Sequence, residues 1–353
     1  MRLLAWLGTC GLVGFMLLVN RNPELARAEQ EPASKTFVHI PDTISKEAQV
    51  LLRPLPDPAK APTVPASDDV AGWKRVWEAV EKSNEPLVEA ALKRYEPTIV
   101  ERKLGGVPVI DIKPKGWKED GKVLLYAHGG AYTLQSARSK LEPAVLTADA
   151  TGLRVVSIDY TVAPTGKWDK VTDEVLAVFA ALQKEGHKLK DMAIFGDSAG
   201  GGLAAGSVLK MRDKGLGMPG AIVLWSPWAD ITNSGDSAVT LKDAEPTYLY
   251  EKHLKSAADA YADPKDQKNP YVSPVYGDFS KGFPPTLIQG GTKEIFLSHF
   301  VRLYQAIDSA GGTVKLDLYD AMPHVFQQRF ADAPEGKEAI KKMTTFLKAN
   351  LGR

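Results

Sequence analysis

Cysteine is nearly absent: Cys10 is the only one in 353 residues. An internal disulfide framework and a cysteine-rich metal site are therefore excluded. Charge of one sign is not in excess either. Lys and Arg number 44 against 43 Asp and Glu, a net of +1. The chain thus carries neither a nucleic-acid footprint nor a polybasic membrane patch. With 44% hydrophobic and 25% charged residues, it is too apolar and too evenly charged to remain disordered. A length prior suggests two domains, but α/β folds of this size often form one. The amino terminus is the part that departs from this globular pattern.

That stretch reads as a targeting segment. Arg2 precedes an almost unbroken apolar run from Leu3 to Val19, and Ala26-Arg27-Ala28 then places small residues at signal-peptidase spacing. The expectation is a signal cut after Ala28 and an exported protein, periplasmic or secreted. The alternative is an uncleaved membrane anchor, since the run reaches the lower end of bilayer-spanning lengths. Cleavage would also remove Cys10, which suits an oxidising compartment.

Residues 29–68 are rich in Pro, Ala, Asp and Lys. Proline lacks the backbone donor and restricts the residue before it, so this part is expected to wrap the surface as a linker. In residues 69–95, Val70, Trp73, Val76, Trp77 and Val80, then Leu87, Ala90, Ala91 and Leu92, fall at helical spacing. One or two amphipathic helices are expected there. Residues 98–114 read as two strands about a Gly105-Gly106 turn. Strand candidates then follow at Val123–Ala127, Arg154–Asp159, Met192–Phe195, Ala221–Trp225, Thr286–Ile288 and Lys315–Leu318, with helical stretches between them. Alternation of apolar strands with helices argues for a mostly parallel sheet covered on both faces. Residues 229–284 interrupt the alternation as a long insertion.

The strongest chemical signal is Gly196-Asp197-Ser198-Ala199-Gly200, after an apolar strand and before a helical run. This is the context of a nucleophile elbow, in which a serine sits on a strained turn between small residues. A chance glycine-rich turn is the competing reading, and the flanking strand and helix argue against it. His128-Gly129-Gly130-Ala131-Tyr132 ends an upstream strand. Attack on an acyl carbonyl creates an oxyanion that needs backbone N–H groups aimed at it beforehand. A glycine-rich loop upstream of the elbow supplies such groups, with a further one from Ala199, the residue after the nucleophile.

A serine hydroxyl is a weak nucleophile and needs a base. Of six histidines, His324 follows the last strand in a loop that can reach back to the serine. The order serine, acid, histidine then places the acid between them. Glu294 lies just past a strand end, where it would hold the imidazole tautomer and stabilise the imidazolium. Asp197 and Asp159 are read as structural. Trp73 and Trp77 are read as core, and Tyr132 and Trp228 as lining for a substrate pocket.

These residues resemble the hormone-sensitive-lipase-like family of α/β hydrolases, the bacterial carboxylesterase group, over roughly residues 70–350. The matching segments are His128–Tyr132, Asp159-Tyr160-Thr161-Val162-Ala163-Pro164, Gly196–Gly201, Ser226–Asp230, Asn269–Pro274 and Met322-Pro323-His324. The resemblance implies an α/β-hydrolase fold with a mostly parallel eight-stranded sheet and an amino-terminal helical cap. Together with the amino-terminal pattern and the proline-rich composition, it divides the chain into a signal peptide at 1–28, linker and cap at 29–97 and a catalytic domain at 98–353. It implies Gly130 and Ala131 as oxyanion donors beside Ala199. It also implies a serine carboxylesterase acting on short-to-medium-chain esters, with lactone hydrolysis or small-molecule deacetylation as alternatives. No cofactor or metal is implied, the partner is a small-molecule ester or lactone, and the protein would be a monomer or homodimer. Three departures stand out: Ala131 replaces a glycine, Thr161 replaces an arginine, and the acid is Glu294 where many relatives carry Asp.

Overall fold

Short runs of apolar, largely β-branched residues build the centre of the molecule. In the computed structural model, which describes residues 38–352, they form one eight-stranded sheet. The expected signal segment lies outside the described residues. The strands are β1 (Thr98–Leu104), β2 (Val107–Lys113), β3 (Val123–Ala127), β4 (Arg154–Ile158), β5 (Met192–Asp197), β6 (Ala221–Trp225), β7 (Thr286–Gly291) and β8 (Val314–Tyr319). Their order across the sheet is β1-β2-β4-β3-β5-β6-β7-β8. β1 and β2 run antiparallel, as do β2 and β4, and every other pair is parallel. Gly105 and Gly106 make the first turn at φ +58° and +86°.

The period of two along each strand divides the interior into two cores. Val123, Leu125 and Ala127 of β3 face one core, which includes residues from the helices Trp168–Lys184, Ala199–Asp213 and Leu297–Ser309. Leu124 and Tyr126 face the other, covered by Leu141–Thr151 and Pro334–Leu351. β3 to β6 are buried along their whole length, as parallel strands under two helical layers must be. The edge strand β1 leaves Glu101 and Val100 exposed.

Residues Val70–Tyr95 form one helix, not two, and it runs through Pro86. The Asp69 side chain caps it by accepting from the Gly72 N–H at 2.8 Å. Trp73 and Val80 from its first half join one core, and Val88, Ala91 and Tyr95 from its second half join the other.

The expected surface linker is in part a packed element. Residues Lys46–Leu52 are helical, and Ser45 caps them while donating its hydroxyl to Glu335 at 2.7 Å. Val38, Ala48, Leu52 and Leu55 form a third core with Met322, Phe326 and Phe330. The reason is the helical spacing of Ile44, Ala48 and Leu52, which the proline-rich composition further on obscured. The prolines do act as expected over residues 54–66, where only the short turn Pro58–Lys60 forms. Among the described residues, no helix is long and apolar enough to cross a membrane.

If this segment is core, Leu52→Ala should lower the unfolding free energy by about 2–5 kcal/mol. A denaturant titration of the two proteins measures it, and a change below about 0.5 kcal/mol would mark the segment as a loosely attached strap.

Candidate active site

β5 ends at Asp197 and the next helix begins at Ala199, which leaves Ser198 alone on the turn at φ +57° and ψ −123°. A side chain rarely adopts this geometry, and such strain persists only where surroundings enforce it. Here the Ser198 N–H donates to the Trp225 carbonyl, and the Ser198 carbonyl accepts from the Trp228 N–H, both at 2.8 Å. The flanking glycines are obligatory. A Cβ on Gly196 would lie 2.2 Å from the Gly200 carbonyl oxygen, and one on Gly200 would lie 2.0 Å from that of Ala127.

His324 stands in the loop after β8, and its Nδ1 lies 2.7 Å from Glu294 Oε2. Glu294 itself is fully buried just past β7. Its second oxygen accepts from the Ser226 hydroxyl at 2.8 Å and from the Gly291 N–H at 2.6 Å. A buried carboxylate needs such donors. Because a carboxylate faces Nδ1, that nitrogen carries the proton and Nε2 is left as the basic lone pair. Nε2 has no hydrogen-bond partner among the described residues. His324 and Ser198 line the same cleft.

The turn after β3 carries Gly130 at φ +115°, Ala131 at +53° and Tyr132 at +64°. Ala131 therefore adopts the left-handed angles that the usual glycine would take. A Cβ on Gly130 would meet the Leu134 carbonyl oxygen at 2.2 Å. The N–H groups of Gly130, Ala131 and Ala199 donate to no group among the described residues, and Gly130 and Ala131 line the cleft beside Ser198. Asp197 braces this turn from below by accepting from the Gly129 N–H at 2.9 Å and from the Tyr126 hydroxyl. Burial works to raise its carboxyl, but the Lys140 ammonium at 3.1 Å and these donors hold it below the ordinary Asp value. Asp159 has a comparable bracing contact, accepting from the Ala137 N–H at 2.9 Å.

Two expected pocket residues lie elsewhere. Tyr132 and Trp228 are buried in the core and do not line the cleft. Tyr132 turns inward because Gly202 has no side chain; a Cβ there would sit 2.6 Å from the tyrosine hydroxyl. It stacks on Tyr261 at 3.7 Å and lies 5.7 Å from Trp228. Trp73, read as core, is core and also lines the cleft. Trp77 is half-buried, with its indole N–H donating to the Gln135 carbonyl at 2.9 Å. Other wall residues are Val64 and Val80 before the sheet, and Thr247, Tyr248 and Leu254 from the insertion.

His253 also lines the cleft. Burial, with Lys252 adding to it, pushes its imidazole down to about 4. Its Nδ1 accepts from the Leu249 N–H, and no carboxylate orients it, so His324 is the better placed base. His128 is fully buried and stacked on Tyr160 at 4.2 Å. Burial lowers its imidazole too.

Sequence reasoning missed two supporting residues. Ser226 donates to Glu294 and accepts from the Val325 N–H at 3.0 Å, so it ties the acid to the histidine loop. Its position one residue past β6 was the available signal. Glu245, from the insertion, is buried and accepts from the Ile295 N–H at 3.1 Å and the Thr247 N–H at 2.8 Å. No local pattern marks it.

The family profile of the α/β-hydrolase fold matches residues 124–328. A solved esterase from the bacterial hormone-sensitive lipase family superposes with a TM-score of 0.73 at 32% identity, covering 78% of this chain and 92% of its own. The chain belongs to this family of α/β hydrolases. Within its fold, a second solved esterase reaches a TM-score of 0.82 at 26% identity, covering 92% of this chain and 98% of its own. An acetyl-hydrolase from Streptomyces hygroscopicus is 34% identical over 256 residues, which is 70% of this chain and 85% of that protein. An esterase from Acinetobacter venetianus is 31% identical over 253 residues, 71% and 82% of the two chains.

Burial pushes the Glu245 carboxyl up to about 7, and the Glu294 charge adds to this against His324 and the two N–H donors. A carboxyl raised on folding contributes stability that is present below its unfolded value and is lost as pH rises through its folded value. Glu245→Gln should therefore gain in melting temperature relative to the parent as pH rises from 5 to 8. Melting curves of both proteins across that range check it, and a pH-independent difference would mean Glu245 does not titrate there.

Proposed function

We propose that this carboxylic ester hydrolase cleaves short-to-medium-chain esters through an acyl-enzyme on Ser198. The observation that carries the reading is His324, which is paired with the buried Glu294 and lines one cleft with a serine held on a strained turn. His324 Nε2 takes the Ser198 proton as the oxygen attacks the ester carbonyl. The N–H groups of Gly130, Ala131 and Ala199 receive the oxyanion. The tetrahedral intermediate collapses, the C–O bond to the alcohol breaks, and the imidazolium returns the proton to the leaving alkoxide. Water, deprotonated by His324, then attacks the acyl-enzyme, and the carboxylic acid leaves with Ser198 restored. Glu294 keeps the imidazole in the required tautomer and stabilises its charged form.

The cleft encloses about 150 Å³, close to a cavity that takes one benzene molecule. That size supports short acyl chains. The names of relatives such as the acetyl-hydrolase favour a second reading within the same chemistry, removal of acetyl from a small molecule. The mechanism serves both.

Hydrolysis of p-nitrophenyl esters from acetate to palmitate tests the reading. Turnover should be fastest from acetate to hexanoate and fall steeply at longer chains. Ser198→Ala should lose about a millionfold in kcat, and Glu294→Gln about 10,000-fold, since the amide misorients the imidazole. Palmitate turned over as fast as butyrate would refute the small acyl pocket.

We further propose that the protein is exported after cleavage at Ala28, on the support of the amino-terminal pattern alone. Mass spectrometry of the protein recovered outside the cytoplasm should find Glu29 as its first residue. A start at Met1 would mean an uncleaved anchor.

A further inference from the structure

One side chain of the cleft wall has no work in the mechanism above. Arg329, at the end of the short helix Phe326–Arg329, lines the same cleft as Ser198 and His324. It is half-buried, and it makes no hydrogen bond or ion pair among the described residues. The acids held by its neighbours are engaged elsewhere. Asp332 takes two bonds from Arg94 at 2.7 and 2.9 Å, and Glu142 accepts from Gln328 at 2.9 Å. Lys140, the other cation of the wall, is satisfied by Asp197 at 3.1 Å and Gln328 at 3.0 Å. Lys140 and Asp197 cancel, which leaves Arg329 as the uncompensated charge among the lining residues.

Removing a guanidinium from water without a partner is costly. Burial alone acts on this one, pushing it down to about 10, with no acid to oppose it. It stays fully charged at neutral pH. A planar fork of donors in a partly dry cleft is suited to a carboxylate, which it can grip through two parallel bonds.

We propose that Arg329 is a specificity-determining residue that receives a carboxylate carried by the substrate, so that the preferred esters are anionic. The proposal rests on the esterase reading above. The carboxylate can sit on the acyl or the alcohol part, and the two are separable by substrate choice. On the acyl side, mono-p-nitrophenyl glutarate is compared with p-nitrophenyl butyrate. On the alcohol side, 4-acetoxybenzoate is compared with phenyl acetate.

The quantity to read is the ratio of kcat/KM for the anionic ester to that for its neutral counterpart, measured at low salt in each protein. In the parent, one of the two ratios should be at or above unity. In Arg329→Gln that ratio should fall by roughly tenfold or more, the size expected for a lost charge-assisted bond, mainly through KM. Arg329→Lys, which keeps the charge but not the fork, should fall between. Added salt should reduce the parent's ratio and leave that of Arg329→Gln little changed. Ratios that are the same in all three proteins would overturn the proposal.

Calorimetry separates this from failure of the esterase reading. Ser198→Ala protein is titrated with the same anionic esters, with and without Arg329→Gln, each variant first checked for an intact melting transition. Binding that weakens tenfold on loss of the guanidinium supports the anchor even if the parent hydrolyses nothing. Equal binding with and without it refutes the anchor even if the parent is a good esterase.

Discussion

A fully buried carboxylate can be held in a protein only if donors surround it. Glu294 meets that condition with three donors from three places: the Ser226 hydroxyl past β6, the Gly291 N–H at the end of β7 and the His324 ring past β8. Satisfying this one group therefore fixes the relative positions of three strand ends. Ser226 extends the constraint, since it also accepts from the Val325 N–H. Gly291 tightens it further; a Cβ there would lie 1.8 Å from the Met322 carbonyl oxygen. The His324 ring is therefore aimed by the same contacts that join the ends of β6, β7 and β8.

A second buried carboxylate does comparable work on the other side of the cleft. Asp197 precedes Ser198 and supports the turn that follows β3 through the Gly129 N–H. Lys140 offsets its charge. The turn at Ser198 and the turn at Gly130–Tyr132 are thus joined through one side chain, which helps Ser198, Ala131 and Tyr132 to be held at positive φ. The strain sits on the cleft wall at Ser198, Gly130 and Ala131, and the two cores beneath are packed tightly enough to maintain it.

The cleft walls come from parts of the chain that lie outside the repeating strand and helix pattern. The helix Val70–Tyr95 brings Trp73 and Val80, the proline-rich stretch brings Ala61 and Val64, and the insertion brings Thr247, Tyr248 and Leu254. This division follows from the fold. The carboxyl ends of parallel strands fix the reacting groups, while loops and additions beyond them shape what can reach those groups. Glu245 shows that an addition can also touch the machinery, because it binds the N–H of Ile295, next to the acid.

Much of this was legible along the chain. Short apolar runs marked the central strands to within a few residues, since a strand buried on both faces has little choice of residue type, and the Gly105-Gly106 turn marked β1 and β2. The elbow was legible because its glycines answer to backbone clashes within a few residues. Ser198, Glu294 and His324 could be singled out because each stands just past a strand end; the structure pairs Glu294 with His324 and puts His324 and Ser198 on one cleft. Tyr132 and Trp228 were misplaced in sequence reading because nothing local says whether an aromatic turns toward a cleft or into a core. Gly202, 70 residues from Tyr132, decides that. The packed helix Lys46–Leu52 was hidden for a similar reason, as its partners Met322, Phe326 and Phe330 lie near the other end of the chain. Ser226, Glu245 and Arg329 acquire their meaning from what surrounds them, or fails to. Local backbone demands are written in neighbouring residues and can be read there. The pairing, burial or isolation of a charge depends on residues brought together from afar, and only the tertiary structure decides it.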